Sequence, residues 1–349
     1  LRELADDLWD RGVRSVGALE VDQSQFDGRF VPPAFDQQPE EWAAFRAPIS
    51  ALAVDRNTLS IRITAAQKPG DPAHLVLAPS ALAELTNQTK TEKAGAAEKL
   101  ILDTRFESGK LRVTLKGTTG AGQRSVVYAR RLEDPSLAAG EVLLEVLRER
   151  GFSVPKAVAL GRAGKLPALV VRRSDRLGAI LPALGKDSDN FTAEMLMLAS
   201  VATPDQSPTF ASASAKFADL LRARGAFPDG TVILNGSGLF DANRASARAL
   251  TSLLAAAASD PKMATEYVSH LAIAGVDGTL RARLKPLAAE RRVRAKTGTL
   301  AKSTALSGYV LSKQGSPRLA FAFLVETEKT ADARKAIDQA VLELVRLVD

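Results

Sequence analysis

A change of sequence pattern near Ser174 constrains the fold of this 349-residue chain more than any other feature. Before Ser174, turns of glycine and polar residues separate short apolar segments that predict strands, which cover 49–55, 58–64, 74–79, 98–106 and 110–117. After it, alanine- and leucine-rich segments predict helices, and β-patterned segments and an amphipathic helix over 331–348 follow. The chain therefore predicts an α+β fold, with an antiparallel sheet covered by helices in its second half.

The charge balance admits an anionic partner but does not favour nucleic acid. Lys and Arg number 47 against 40 Asp and Glu, which gives a formal net charge of +7. A net charge of this sign attracts nucleic acid or an anionic cell-wall polymer. However, aromatic residues make up only 5% of the chain, whereas single-strand binding sites stack bases on aromatic side chains. We therefore predict no nucleic-acid partner. A basic nucleic-acid binder is kept only as the third and least favoured hypothesis.

The scarcity of two residue types excludes several kinds of active site. The chain has no cysteine and only two histidines, His74 and His270. Disulfides, thiolate metal sites, cysteine nucleophiles and clustered histidine ligands are therefore excluded, and we predict no metal and no cofactor. A Ser-His-Asp triad would have to use one of these two histidines, so lysine is the favoured base for hydrolytic chemistry.

Neither a membrane-spanning segment nor a signal peptide is visible in the sequence. No apolar run approaches the roughly 18 residues that a membrane-spanning helix needs, so we predict no transmembrane segment. No charged and apolar leader of the secretory type is present either. Because the chain opens with Leu1 inside a helical pattern rather than with methionine, we expect a native segment upstream of Leu1.

Two short motifs stand where acyl-transfer chemistry needs them. Ser188-Asp189-Asn190 lies in the polar break between two predicted helices, and Lys296-Thr297-Gly298 lies in a predicted strand. Together with S-x-x-K, they form the three-part set of penicillin-binding proteins and class A β-lactamases. Each tripeptide alone also occurs by chance at a loop or a strand end, so their order and setting carry the prediction.

The residue types in these motifs match the needs of an acyl-transfer site. Ser188 can relay a proton between lysine amines and the leaving group, and the Asn190 amide can grip a peptide bond. Lys296 offers a positive charge to a terminal carboxylate, and the glycine that follows leaves room for a substrate backbone. The predicted catalytic residues are Ser188, Asn190 and Lys296, and the predicted substrate-binding residues are Thr297, Gly298 and Thr299.

The chain resembles the low-molecular-mass class C penicillin-binding proteins, the D-alanyl-D-alanine carboxypeptidases/endopeptidases, over essentially its whole length. The similarity rests on both motifs and on blocks in the family's order, which are 12–28, 47–63, 185–200, 234–250, 271–284 and 294–310. The resemblance implies a serine acyl-enzyme hydrolase that acts on D-Ala-D-Ala stem peptides of peptidoglycan in the periplasm and is inhibited by β-lactams.

The same resemblance implies a division into domains. It places a transpeptidase-like catalytic domain at 171–349, which is incomplete without the segment upstream of Leu1. Residues 1–170 are then accessory modules inserted into that domain, with a smaller β subdomain nested at about 50–130.

Two departures from the family pattern leave an alternative open. The S-x-x-K helix that carries the family's nucleophile and base is missing, and the strings Ser153–Lys156 and Ser259–Lys262 have proline before lysine, so we interpret them as accidental. The family's DGSGLS block begins here with Asn235 and ends with Phe240. The first hypothesis is an enzyme whose nucleophile lies upstream, which leaves this chain alone inactive. The second is a catalytically inactive relative that binds peptidoglycan or a partner protein.

Overall fold

A computed structural model of the chain describes residues 1–107, 110–164, 167–203 and 206–348. Residue contacts divide the chain into two compact units. Unit 1 comprises Leu1–Pro32, Gln38–Arg173 and Ala202–Ser207, and unit 2 comprises Pro33–Gln37, Ser174–Val201 and Pro208–Asp349. Each unit therefore contains segments that are distant in sequence.

Unit 1 consists mainly of strands. Its helices are α1 (Arg2–Asp10) and α2 (Ala138–Arg150), and its strands are β1 (Glu20–Val21), β2 (Thr58–Thr64), β3 (His74–Ala78), β4 (Ala83–Glu92), β5 (Lys99–Glu107), β6 (Lys110–Gly120), β7 (Val126–Arg131) and β8 (Ala159–Leu160). One sheet has the order β3-β2-β7 and is antiparallel, and a second has the order β4-β6-β5, with β4 and β6 parallel. Apolar residues of β2 and β6 share one buried cluster, which includes Leu59, Ile61, Leu111 and Val113.

Most strands predicted in this half are confirmed, but the one over 49–55 is wrong. That segment is a loop held by the buried Asn57, whose Nδ2 donates to the Pro48 carbonyl at 3.0 Å and to the Ser50 hydroxyl at 2.9 Å. Asn57 also has a positive φ of 52°, and the two residues before it have positive φ values as well. Ile49, which is 0% exposed, is therefore buried through a turn rather than by strand pairing, and Leu52 of the same segment stays exposed.

Unit 2 contains a four-stranded sheet and most of the α-helices of the described residues. Its helices are α3 (Leu177–Gly185), α4 (Asn190–Ala199), α5 (Phe210–Arg222), α6 (Ala247–Ser259), α7 (Ala264–Ser269) and α8 (Thr330–Val348), and its strands are β9 (Ala272–Ile273), β10 (Val293–Leu300), β11 (Ser303–Leu311) and β12 (Pro317–Glu326). The sheet has the order β12-β11-β10-β9, and every pair is antiparallel. This confirms the antiparallel sheet and the helices predicted for the second half.

Helices cover both faces of this sheet. Val293 and Ala295 of β10 are fully buried in one cluster with Val341 of α8. On the other face, the hydroxyl of Tyr309 donates to the Leu254 carbonyl of α6 at 2.7 Å. Because side chains alternate along a strand, residues 294 and 296 of β10 point away from α8.

Candidate active site

Ser188 lies in the short connection between α3 and α4, in a strained backbone conformation. Its φ is +59°, in the left-handed region that residues with a Cβ rarely adopt. The next residue, Asp189, is the N-cap of α4, and its Oδ1 accepts the backbone N–H of Thr192 at 2.7 Å. Asn190 is the first residue of α4 and is half-buried. The cap therefore fixes the start of α4 and the position of Ser188 beside it.

Lys296 brings the two predicted motifs together. Its Nζ donates to Ser188 Oγ at 2.5 Å and to the Thr297 carbonyl at 2.8 Å. Burial lowers the pKa of Lys296 from its ordinary value of 10.5 to about 8, because removal from water disfavours the charged form. An amine with this pKa can both carry a positive charge and exchange a proton near neutral pH.

The residues that follow Lys296 form the last part of β10, in which only Thr299 is exposed among the residues 297–300. The Thr297 hydroxyl contacts the Thr279 hydroxyl at 2.8 Å, and Thr299 is exposed. Gly298 pairs with Ala305 of β11, and an added Cβ at Gly298 would lie 3.2 Å from the Ala305 Cβ. A side chain at Gly298 would therefore require Ala305 to shift by a few tenths of an ångström.

Glu194 is a buried carboxylate that the sequence analysis missed. It lies on α4, is 0% exposed, and accepts the backbone N–H of Gly236 at 2.7 Å and that of Ser237 at 2.8 Å. Burial raises the pKa of Glu194, although these hydrogen bonds act in the opposite direction. The sequence does carry one signal of this role, because Glu194 lies within an otherwise apolar helix. A glutamate is rarely fully buried unless another group pairs with it, so such a position indicates a buried polar contact.

The Asn235 to Phe240 loop is held by Asn235 itself. Asn235 is 1% exposed, its Nδ2 donates to the carbonyls of Pro33 (3.0 Å) and Leu239 (3.2 Å), and its Oδ1 accepts the Gly238 N–H at 2.9 Å. Phe240 has a φ of +59°, and its ring packs edge-on against Phe35 with the centroids 5.4 Å apart. Both departures from the family pattern therefore fill structural positions in this chain.

The segment Asp277-Gly278-Thr279 is a tight turn that begins a short 3-10 helix over Gly278–Leu280, and it holds Lys186, which follows the end of α3. Asp277 forms an ion pair with Lys186 at 2.6 Å, and the Thr279 N–H donates to the Lys186 carbonyl at 2.9 Å. An added Cβ at Gly278 would lie 2.4 Å from that carbonyl. Since Thr279 also contacts Thr297, this turn supports both motifs.

The remaining candidates lie outside the cluster. His74 is exposed on β3, and the Nδ1 of His270 contacts the Glu266 carbonyl at 3.1 Å. Ser153 lies in a loop, and Ser259 is the last residue of α6. Neither S-x-x-K string therefore lies within a helix, which agrees with their interpretation as accidental.

Comparison with known proteins identifies the family. The sequence profile of the D-Ala-D-Ala carboxypeptidase 3 (S13) family matches residues 1–346. The chain belongs to this family. A D-alanyl-D-alanine carboxypeptidase from Actinomadura sp. (strain R39) is 32% identical to this S13 chain over 369 aligned positions, which cover 100% of the chain and 66% of that relative. Carboxypeptidase DacB of Mycolicibacterium smegmatis is 32% identical over 63% of the chain and 48% of the relative. The S13 chain thus spans only part of these relatives, 66% of the first and 48% of the second.

Solved structures confirm the fold class. Penicillin-binding protein 4 of Haemophilus influenzae superposes on the S13 chain with a TM-score of 0.78 at 20% identity, over 99% of this chain and 78% of that one. A second structure of the same protein, in complex with a β-lactam, gives a TM-score of 0.71 at 19% identity. The S13 chain therefore has the α+β fold of a penicillin-binding domain with an inserted β-rich domain, and its predicted resemblance to class C penicillin-binding proteins is confirmed.

Two further properties describe only the residues that the structure covers. Across 1–107, 110–164, 167–203 and 206–348, no helix is both long and apolar enough to cross a bilayer. Within the same ranges, acidic and histidine side chains form no group of three or more that could hold a metal ion.

Proposed function

We propose that this S13 chain carries the Ser188 and Lys296 part of a serine-type D-Ala-D-Ala carboxypeptidase/endopeptidase. In this proposal the enzyme acts on peptidoglycan stem peptides in the periplasm through an acyl-enzyme, and β-lactams inhibit it. The observation that carries the proposal is the 2.5 Å contact between Lys296 Nζ and Ser188 Oγ. Family membership supports it, as does the β-lactam complex of the Haemophilus protein.

Each site residue has a role that its position allows. Lys296 attracts the terminal carboxylate of the peptide and exchanges a proton with Ser188, which passes it to the leaving amine. Asn190, at the start of α4, binds the substrate amide. The Thr297 and Thr299 hydroxyls flank the carboxylate, the N–H of Thr299 is an oxyanion donor, and the small Gly298 lets the substrate lie against β10.

The nucleophile belongs, in this proposal, to a part of the whole protein outside the 349 residues. An acyl-enzyme needs a hydroxyl nucleophile with an adjacent base, and no S-x-x-K string lies within a helix in the described part of the chain. This chain alone is then inactive. We likewise propose that residues 171–349 are the catalytic domain and that 1–170 are inserted accessory modules, with the nested subdomain at about 50–130.

A catalytically inactive relative is the second candidate. Two observations favour it, namely the lack of an S-x-x-K helix in the described residues and the structural use of Asn235 and Phe240. Such a protein would bind a D-Ala-D-Ala peptide or a partner protein through the Lys296 site without turnover.

Penicillin acylation of the protein made from its whole gene separates these candidates. We expect intact-mass spectrometry to show one covalent penicillin on the wild type. Ser188→Ala should slow acylation by about 100-fold or more, because the proton relay is lost. Ser259→Ala is the matched control: Ser259 is exposed and lies in an accidental S-x-x-K string, so its rate should equal that of the wild type. A folded wild type that forms no adduct would refute the enzyme proposal.

Peptide binding should depend on pH through Lys296. Its ammonium is charged below its pKa of about 8 and becomes neutral above it. The affinity for a D-Ala-D-Ala peptide should therefore fall as the pH rises through 8, by up to about tenfold per pH unit. Calorimetric titrations on both sides of this pH measure the fall. The same peptide with an amidated C-terminus should show no such fall, and an equal fall with both peptides would contradict the assigned role.

A further inference from the structure

We propose that Thr279 is a further positioning residue of the candidate active site, which selects a free terminal carboxylate by acting through the hydroxyl of Thr297. This inference rests on the proposed function, in which the Thr297 hydroxyl flanks the carboxylate of the peptide. Thr279 belongs to neither sequence motif and lies in the short 3-10 helix over Gly278–Leu280. The two hydroxyls are joined by a hydrogen bond of 2.8 Å, in which Thr297 donates to Thr279.

The structure of unit 2 fixes the backbone of Thr279 from both sides. On one side, Asp277 forms an ion pair with Lys186 at 2.6 Å, and its Oδ1 accepts the N–H of Ile273 at 2.7 Å. On the other side, Leu280 is 0% exposed and belongs to the buried cluster of β10 and α8. The N–H of Thr279 itself donates to the Lys186 carbonyl at 2.9 Å. The side chain of Thr279 therefore extends from a fixed point, which a positioning residue requires.

The hydrogen bond between the two hydroxyls lies at the surface rather than in the core. Thr279 is exposed and Thr297 is half-buried, so a ligand can reach the Thr297 hydroxyl. A hydrogen bond between such groups replaces hydrogen bonds to water, and its net contribution to the free energy of unfolding is therefore modest. The use of this pair is then to be found in what Thr297 binds.

The number of protons in the pair decides which group Thr297 can bind. A threonine hydroxyl has one proton and can also accept, whereas an ionised carboxylate only accepts. In the structure the proton of Thr297 is directed at Thr279. To bind a carboxylate, Thr297 turns this proton to the ligand, and the Thr279 hydroxyl turns to donate to Thr297. The bond between the hydroxyls is kept in this exchange, so the pair favours a ligand group that accepts.

Lys296 and the hydroxyl pair contribute differently to carboxylate binding. Lys296 Nζ donates to the carbonyl of Thr297 and to Ser188 Oγ, so the ammonium and the hydroxyl pair belong to one site. Linked hydrogen bonds of this kind polarise and strengthen one another. The ammonium attracts any anion, whereas the hydroxyl pair requires an acceptor at one position. Thr279 therefore contributes selectivity, and Lys296 contributes most of the attraction.

Calorimetric titration of the 349-residue chain with a D-Ala-D-Ala peptide, and with the same peptide amidated at its C-terminus, tests this role. Thr279→Val keeps the shape of the side chain and the backbone bond to Lys186, so only the hydroxyl is lost. We expect this variant to bind the free acid about three- to tenfold more weakly, the usual effect of one hydrogen bond. Its affinity for the amide should stay within twofold of the wild type, because an amide can also donate to Thr297. Thr279→Ser keeps the hydroxyl and should bind the acid within twofold of the wild type.

Thr265→Val is the matched control, because Thr265 is exposed on α7 and lies outside both motifs. Both of its affinities should stay within twofold of the wild type. Wild-type affinity for the acid in Thr279→Val would overturn the inference, as would equal losses for acid and amide. A loss in Thr279→Ser as large as that in Thr279→Val would show that shape matters rather than the hydroxyl, and would also overturn it. A wild type without preference for the acid is a separate failure, which would contradict the carboxylate site of the proposed function itself.

Discussion

Replacing Lys296 with methionine should remove peptide binding and, at pH 7, make the fold more stable. The ammonium supplies the positive charge for the terminal carboxylate, and loss of one partner of a buried charge pair costs about 2–5 kcal/mol of binding. The affinity for a D-Ala-D-Ala peptide should therefore fall by about 100-fold or more. This expectation holds for an active enzyme and for an inactive relative, since both use the same pocket.

The gain in stability follows from the lowered pKa of the same lysine. Its pKa is about 8 in the folded chain and 10.5 ordinarily, so the folded state binds the proton less tightly than the unfolded state. Each pKa unit corresponds to about 1.4 kcal/mol, and the charged form below pH 8 therefore costs the fold about 3 kcal/mol. Methionine fills a similar volume without a charge, and we expect it to recover about 1–3 kcal/mol.

Calorimetric peptide titration and urea unfolding at pH 7 measure the two effects. Lys302→Met is the matched control, because Lys302 is 77% exposed at its side chain and its ammonium pairs with the exposed Glu328. It should change neither peptide affinity nor stability by a measurable amount. Unchanged peptide binding in Lys296→Met would show that the proposed pocket is wrong. A loss of stability would show that the hydrogen bonds of the ammonium outweigh its desolvation.

The motif residues of the candidate site could be predicted from sequence because their chemistry and spacing are local. Lys296 and Ser188 are 108 positions apart, yet each lies in a short motif with a recognisable setting. Glu194 could not be assigned in this way, since its role depends on the backbone of Gly236 and Ser237 after folding. Nothing in the sequence near Glu194 shows that those N–H groups lie beside it.

Strand prediction failed where polar residues are buried. β4 was missed because its inward residues include Thr89 and Thr91, whose hydroxyls accept the N–H groups of Ala73 and Ala66 at 2.9 Å. These threonines are at most 4% exposed. Because threonine is polar, however, a search for alternating apolar residues does not detect them as the buried face of a strand. Hydroxyl groups that bond to backbone can thus form a strand face that apolar periodicity does not reveal.

The basic segment before the Lys296 motif shows that sequence periodicity also misjudges charged residues, which can be buried beside a strand. Alternation along a strand would place Arg292, Arg294 and Lys296 together on one face. β10 begins at Val293, and Arg292 is 5% exposed, with its guanidinium bonded to the Leu311 carbonyl. A charged residue beside a strand can therefore be part of the packing, and only its partners in the fold decide this.

Replacing Glu194 with alanine should be the most destabilising single change at the candidate site. The carboxylate is the acceptor for two buried N–H groups, those of Gly236 and Ser237. Its loss leaves both donors unpaired next to a new cavity, and removal of such a buried charged partner costs about 3–5 kcal/mol. The free energy of unfolding from urea denaturation measures this loss.

Glu194→Gln keeps the test decisive if the alanine variant does not fold. Glutamine retains one carbonyl acceptor but turns its amide towards the second N–H, so we expect a smaller loss of about 1–3 kcal/mol. Glu326→Ala, on the exposed end of β12, is the control and should stay within about 0.5 kcal/mol of the wild type. If Glu194→Ala were equally mild, the loop that begins at Asn235 would have to be held by Asn235 and Asn243 alone. The helix that carries Glu194, α4, begins next to Ser188. A large loss of stability in Glu194→Ala should therefore be accompanied by slower penicillin acylation, whereas a mild effect on stability should leave acylation unchanged.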